Sequence, residues 1–366
     1  MKVNKSFKFR LCPNQNQIFL ILKTFGCCRF IYNKMLEDKI KYYKETGRKL
    51  NNTPAKYKIE FEWLKEVDSQ SLCNEQMHLL TAFNNFFQRP KIGFPRFKNK
   101  KKDKKSYTTT NVNNTIRVNE KHQIHLGKLG WVNFVEHRQI PPNYKIKSAT
   151  ITQTPSGKYY ISVLTEYEYE IPERVLDKNK SLGLDYSSHD FYVDNQGRSP
   201  ENLHHYYRDL QNKLAFHQRK LSHMVEGSNN YQKQKIIIAR IHEKIANQRK
   251  DFIEKESTKL SQLYDIVCLE DINLQNISQS LKLGKSTLDN GFGMFRERLN
   301  RKMMLEGKKV IKIDKWFPSS KMCRFCGCVN KDLKLSDRVW TCECGAILNR
   351  DENAAINILN EGLLMV

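Results

Sequence analysis

Two kinds of residue in this chain carry spacing that chemistry can use. Cys323-x-x-Cys326 and Cys342-x-Cys344 are separated by fifteen residues, and each pair runs straight into a glycine. Two thiolates on a short knuckle reach one tetrahedral ion, and four close its coordination shell. The pattern therefore predicts a structural zinc with no position left for water. The second knuckle is one residue shorter than the usual one, and Cys328 is a rival ligand. The second kind is acidic. Asp185 lies within the apolar run Leu182–Ser187, where an unpaired charge is expensive, and Glu270 closes the apolar run that starts at Tyr264. Asp351 precedes Ala354-Ala355, whose small side chains let a helix pack closely. Each acid alone has a plainer reading: Asp185 as a turn residue, Asp351 as a helix N-cap, Glu270 as interchangeable with Asp271. Three carboxylates at the ends of separate core elements are what a divalent-ion site needs, and hard oxygen donors select magnesium or manganese. Two such ions about 4 Å apart activate water and stabilise the leaving oxygen of a phosphodiester.

The elements that must position these groups come from a chain of 366 residues, enough for two or three domains with a sizeable core. A hydrophobic content of 39% makes it globular rather than disordered. The formal charge of +24 needs a polyanionic partner, and nucleic acid fits best. No apolar run approaches the roughly twenty residues of a spanning helix, so no membrane partner is expected. The start, Met1-Lys2-Val3-Asn4-Lys5, has no apolar signal core, which places the protein in the cytoplasm. Disulfides are then not expected. Cys12, Cys27, Cys28, Cys73 and Cys268 show no paired spacing and read as small apolar side chains.

Along the chain, Phe7–Leu11 reads as a strand and Pro13 as the opening of a helix that Gly47 ends. Helices follow near Ile59–Trp63 and over Ser69–Phe87, the latter with Leu72, Gln76, Leu79, Leu80, Phe83 and Phe87 on one face. Gly93-Phe94-Pro95-Arg96-Phe97-Lys98 leads into a lysine run, so Arg96, Lys98, Lys100, Lys101 and Lys102 are candidate phosphate contacts. Strands then take over. Thr115–Val118 pairs with Gln123–Leu126, Trp131–Phe134 follows, and Ile146–Thr154 and Tyr159–Glu166 form a hairpin. This is a small β domain, a barrel, which the strand near Phe7 can join with the helices inserted. Leu182–Ser187 and Asp190–Asp194 form a second strand pair, followed by two basic helices, His204–Met224 and Asn230–Leu263. Arg249 and Lys250 on the second helix are further candidates for nucleic-acid contact. After the strand ending at Glu270 come a polar loop over Gln275–Gly293, a helix over Met294–Glu306 and a strand over Lys309–Ile313. Val339–Thr341 is a strand of the cysteine ribbon.

Taken together, these residues resemble TnpB, the transposon-associated RNA-guided nuclease family related to type V CRISPR effectors. The resemblance covers nearly the whole chain. It includes Phe25-Gly26-Cys27-Cys28-Arg29-Phe30-Ile31-Tyr32-Asn33, Gly93–Lys98, Asn247-Gln248-Arg249-Lys250-Asp251 and Trp316-Phe317-Pro318-Ser319-Ser320-Lys321. It implies that Asp185, Glu270 and Asp351 are the three catalytic acids of a RuvC-type site, in that order. It implies an α/β RNase H-like nuclease domain over 177–315 and 347–366, interrupted by a zinc ribbon over 316–346. In front it implies a wedge-type β-barrel from 1–11 and 106–176, carrying a helical recognition insertion over 12–105. Asn349 departs from the aspartate frequent in the family, which bears on a secondary metal or water contact and not on Asp351. The implied activity is magnesium-dependent cutting of double-stranded DNA beside a short motif. A guide RNA encoded at the transposon end pairs with one DNA strand, and the protein is nucleoid-associated while on DNA. The rival readings are a nuclease-inactive RNA-guided regulator, a transposase that joins DNA ends without RNA, and a compact type V CRISPR effector guided from a repeat array.

Overall fold

The computed structural model describes residues 1–89, 91–201, 203, 205–273, 289–334 and 336–366. The chain divides into two compact units, Met1–Tyr169 and Glu170–Val366. None of the helices among the described residues is long and apolar enough to cross a membrane.

The first unit is built on one strand. β1 (Lys2–Cys12) is longer than Phe7–Leu11 and alternates: Val3, Phe7, Phe9 and Leu11 are buried while Lys2, Lys5 and Lys8 are exposed. It pairs antiparallel with β7 (Tyr159–Glu168) from Lys2↔Glu168 to Leu11↔Tyr159, and with β5 (Trp131–Val135) on its other side. The seven-stranded sheet runs β2 (Lys105–Thr110), β6 (Lys145–Gln153), β7, β1, β5, β4 (Gln123–Leu126), β3 (Ile116–Val118). β3 at one edge comes back against β6, beside the other edge, so the sheet is curled.

Between β1 and β2 run α1 (Gln15–Thr46), α2 (Pro54–Glu60), a 3-10 turn over Glu62–Glu66 and α3 (Ser69–Gln88). Pro13 does not open α1. Asn14 caps it, its side chain accepting from the Gln17 N–H while the Gln17 side chain returns to the Asn14 N–H. Gly47 closes α1 at φ 66°, a left-handed conformation that favours glycine. The expected face of α3 is rotated. Ser71, Leu72, Glu75 and Leu79 are buried, whereas Leu80 and Phe87 are 38% and 64% exposed. A buried glutamate on that face is sustained by Lys98, which ion-pairs with it.

The second unit holds β8 (Ser181–Ser187), β9 (Phe191–Asp194), α4 (Tyr206–Ser222), α5 (Asn229–Leu263), β10 (Ile266–Glu270), α6 (Phe292–Leu305) and β11 (Lys309–Ile313). β12 (Val339–Thr341), β13 (Ile347–Asn349) and α7 (Arg350–Leu363) complete it. Of the polar loop expected over Gln275–Gly293, residues 275–288 lie outside the described residues. The four-stranded sheet has the order β11-β10-β8-β9; β10 is parallel to β11 and β8, and β8–β9 is an antiparallel hairpin. Parallel strands buried on both faces need apolar residues at every position, and β10 supplies them. Val267 and Leu269 join Leu182, Leu184, Ile253, Leu260, Phe295 and Leu299 in one core. Ile266 and Cys268 join Ile313 and Ile358 of α7 in another.

α7 approaches the sheet unusually closely. A β-carbon on Gly183 would stand 2.1 Å from the carbonyl oxygen of Ala355, and one on Gly362 would stand 2.4 Å from Cys268 Sγ. Gly26, within α1, has open space where a β-carbon would go. We therefore expect Gly183→Ala to cost about 3 kcal/mol through overpacking. Gly26→Ala should instead be neutral or stabilising by up to ~1 kcal/mol. Urea denaturation of both variants checks this; equal effects would remove the close approach as the explanation.

Candidate carboxylate site and cysteine centre

Period two carries the acids to one side of the sheet. Gly183 faces α7, so Asp185, two residues on in β8, shares that face; Glu270 follows Ile266 and Cys268 on the corresponding face of β10. Leu184 and Leu269 are register partners, so Asp185 and Glu270 are the next residues at the same ends of adjacent parallel strands. Asp351 lies in the first turn of α7, one turn before the Ala355 that touches β8.

The surroundings of each acid differ. The Asp185 carboxyl is held well above the ordinary aspartate range, first by burial, then by the charges of Glu270 and Asp351. The Arg350 guanidinium and the Tyr186 N–H pull the other way. Burial raises Glu270 too, opposed by a hydrogen bond from the Ser319 hydroxyl. Asp351 is paired with Arg338 at 2.8 Å. It is not the helix cap: the Asn349 side chain fills that role, accepting from the N–H groups of Asp351 and Glu352 at 3.1 and 3.2 Å.

The four cysteines are drawn tighter still. Among the described residues they are the one group of His, Cys, Asp or Glu gathered closely enough to hold an ion, with all Sγ atoms within 4.8 Å of one another. Cys323 and Cys344 are 3.8 Å apart at sulfur, Cys326 and Cys342 3.5 Å. Tetrahedral Zn–S bonds of about 2.3 Å require S···S separations near 3.8 Å, so the donor set fits zinc despite the shortened knuckle. Cys328 is outside the group, and its backbone carbonyl accepts from the Cys323 N–H at 2.9 Å. β12 pairs with β13, a strand the sequence reading did not include, and Trp340, Leu333 and Leu348 form a small core with the cysteines.

The cysteine ribbon is tied to the acid-bearing helix by two buried asparagines. Asn353 Nδ2 donates to the Met322 carbonyl at 2.7 Å, and its Oδ1 accepts from the Arg324 N–H at 3.0 Å. Asn357 Nδ2 reaches the carbonyls of Ser319 and Met322 at 2.8 and 2.7 Å. Sequence reasoning missed Ser319, Arg338, Asn353 and Asn357. Two asparagines one turn apart in an Ala/Ile-rich helix were the available signal.

The seven candidate nucleic-acid cations fare differently from one another. Lys98 turns inward to Glu75, over the Tyr32 ring at 4.4 Å. Arg249 is spent on buried Asp289 at 3.0 Å, which also accepts from the Tyr207 N–H. Arg96 is exposed and only loosely paired with Asp103 at 3.5 Å, while Lys100, Lys101, Lys102 and Lys250 are not drawn into the core.

Three family models match the chain: "Helix-turn-helix domain" over residues 1–48, "Probable transposase" over 163–281 and "Cas12f1-like, TNB domain" over 292–358. The first description does not suit residues 1–48, which hold one strand and one unbroken helix. A curated protein of Streptomyces pristinaespiralis, "Putative RNA-guided DNA endonuclease", is 33% identical over 99% of this chain and 90% of its own length. One from Escherichia coli K12, "Putative RNA-guided DNA endonuclease InsQ", is 32% identical over 99% and 93%. Among solved structures, a chain of the Cas12f1-sgRNA-target DNA complex superposes with a TM-score of 0.60 over 98% of this chain and 99% of that one. At 12% identity that likeness bears on fold alone.

The raised Asp185 carboxyl has a consequence for stability. Its charged form is disfavoured in the folded state, so the stability it allows at low pH is lost as pH rises from the ordinary aspartate range through the raised value. Asp185→Asn should therefore raise the melting temperature at pH 7 in the absence of divalent ions and flatten its fall with pH. Added Mg2+ should raise the melting temperature of wild type more than that of the variant. A melting temperature that climbs from pH 4 to 7 in wild type and stays level in the variant would contradict this.

Proposed function

The chain belongs to the TnpB family of RNA-guided DNA endonucleases, and on that premise we propose that it cuts DNA at sites chosen by a guide RNA. The observation that carries the reaction is the placement of Asp185 and Glu270 at the same ends of adjacent parallel strands, with Asp351 in the first turn of the helix packed on that face. The three carboxylates are not gathered as tightly as the four cysteines, yet hard oxygen donors from three core elements suit a divalent cation, and Asp185, Glu270 and Asp351 would hold Mg2+ or Mn2+. When bound, such ions activate water and stabilise the leaving oxygen of the phosphodiester. The chain's own residues prepare the site. Ser319 fixes the carboxylate of Glu270, and Arg338 neutralises Asp351. Arg350 favours the ionised form of Asp185.

In this reading the second unit is a RuvC-like nuclease. The hairpin β8–β9 followed by parallel β10 and β11 supports an RNase H-like sheet. The segment 316–346 is its zinc ribbon, with one zinc on Cys323, Cys326, Cys342 and Cys344. The curled sheet of the first unit is the wedge, extending past Tyr169 to about 176, and residues 12–105 are its recognition insertion. The guide is encoded at a transposon end and pairs with one strand of the target. The protein reads a short adjacent motif and holds the heteroduplex by its backbone, a task suited to a charge of +24.

Asp185→Ala, Glu270→Gln and Asp351→Ala should each reduce cleavage of guide-matched plasmid by at least about a thousandfold, that is ~4 kcal/mol of barrier. Target binding by gel shift should remain within a few-fold. Appreciable cutting by any one of them removes that residue from the reaction. If wild type and its co-purified RNA bind target and never cut in Mg2+, the regulator reading prevails; strand joining by RNA-free protein would favour the transposase. Sequencing that RNA distinguishes a transposon end from a repeat array.

Cys323→Ser should lower zinc below one per chain and destabilise the protein, since binding energy at a structural zinc is folding energy. Zinc content unchanged by metal analysis would take Cys323 out of the ligand set.

A further inference from the structure

The first unit contains a recess of about 340 Å³ between α1, α3 and the segment leading into β2. Its walls bring together six cationic side chains against two carboxylates, with His78 besides. The arrangement has two layers. At the bottom, Glu75 is 2% exposed and is satisfied by Lys98 and by His78 at 3.5 Å, with Tyr32 beneath the lysine. That layer is balanced and asks for nothing. At the rim stand Arg29, Arg96, Lys100, Lys104 and Lys105. Asp103 offsets Arg96 weakly at 3.5 Å, and among the described residues Arg29, Lys100, Lys104 and Lys105 have no acid within ion-pair distance.

The rim is held in shape by the chain itself. Asn33 grips Lys98 on both sides, accepting from its N–H at 2.7 Å and donating to its carbonyl at 2.9 Å. The Asn99 side chain accepts from the N–H groups of Lys101 and Lys102, and Asp103 accepts from the Asn99 N–H. The lysine run is therefore a built turn, with Lys100, Lys104 and Lys105 lining the recess and Lys101 and Lys102 outside its lining.

We infer that this recess is a phosphate-binding subsite for one nucleotide of a bound nucleic-acid strand, with Arg29, Lys104 and Lys105 as its principal contacts. The volume lies at the small end of ligand pockets, which suits a single nucleotide seated out of a helical stack. Uncompensated cations around a neutral floor select an anion for the rim. The inference rests on the proposed function for the presence of nucleic acid. It revises the cations expected to meet phosphate: Lys98 becomes part of the floor, Lys104 and Lys105 at the end of the lysine run come forward, and Arg29, which the sequence did not mark for phosphate, enters.

The test uses full-length protein, its co-purified RNA and guide-matched DNA. Ethylation interference is run on the RNA strand and on each DNA strand, with wild type, Arg29→Gln, Lys104→Gln/Lys105→Gln and the distant surface control Lys121→Gln. The expected result is one phosphate whose ethylation blocks wild type and the control but no longer matters to the two recess variants. Its strand identifies the source, RNA or DNA. The slope of log K against log[salt] should become shallower by about 0.7–0.9 for each phosphate that is no longer neutralised. Melting temperatures within a degree or two of wild type show that the exposed-lysine variant is folded. Interference patterns and salt slopes identical across all four proteins overturn the inference and leave the proposed function standing. Wild type that binds neither RNA nor DNA overturns both.

Discussion

A helix can bring its first turn over the ends of two strands only if little stands between helix and sheet. Here the separation is set by two missing methyl groups. The Ala355 carbonyl occupies the place a side chain on residue 183 would need, and Cys268 occupies the place one on residue 362 would need. Everything at the acidic end inherits that spacing. Asp351 is one turn from the contact, and Asp185 is two residues from it along β8. The carboxylates approach because the backbones do. That contact is buried and close-packed, so it fixes the spacing.

The same helix has a second task. Residues between β11 and α7 leave the sheet as a cysteine ribbon and return at Asn349, so the helix that presents Asp351 must also receive the ribbon's root. It does so with amide groups rather than apolar ones. Asn353 and Asn357 are both buried, and they hold the Met322 carbonyl, the Ser319 carbonyl and the Arg324 N–H. Hydrogen bonds are directional where apolar contact is not, and a satisfied buried network specifies one arrangement. Ser319 joins this root to Glu270 through its hydroxyl. The ribbon's attachment and the orientation of two acids thus share a few residues.

Much of this could be read from the residues because chemistry restricts it. Thiol spacing announced a tetrahedral centre, and the apolar runs ending in Asp185 and Glu270 announced two core strands that carry acids at the same end. The β6–β7 and β8–β9 hairpins were visible in alternation and turn residues. What escaped depends on partners distant in the chain. Lys98 and Arg249 look like free cations until Glu75 and Asp289 are folded against them. Asp351 looks like a cap until Asn349 is seen to supply the cap. α3 reads as an aromatic and leucine stripe, yet buries a glutamate because a lysine from another segment neutralises it. β13 is three residues long and takes its identity wholly from β12.

β1 carries a consequence for how the protein is made. Its strand partner β7 ends at Glu168, and the Met1 ammonium donates to the Tyr169 carbonyl 168 positions away. α1 makes its backbone hydrogen bonds within itself. β1 must wait, with a full edge of unpaired backbone groups, until most of the unit exists. Closing so long a loop is modest in entropy, yet non-local pairing slows folding. Lys2, Lys5 and Lys8, all exposed along that strand, suit the delay, since charge is what keeps an unpaired edge from recruiting the wrong neighbour.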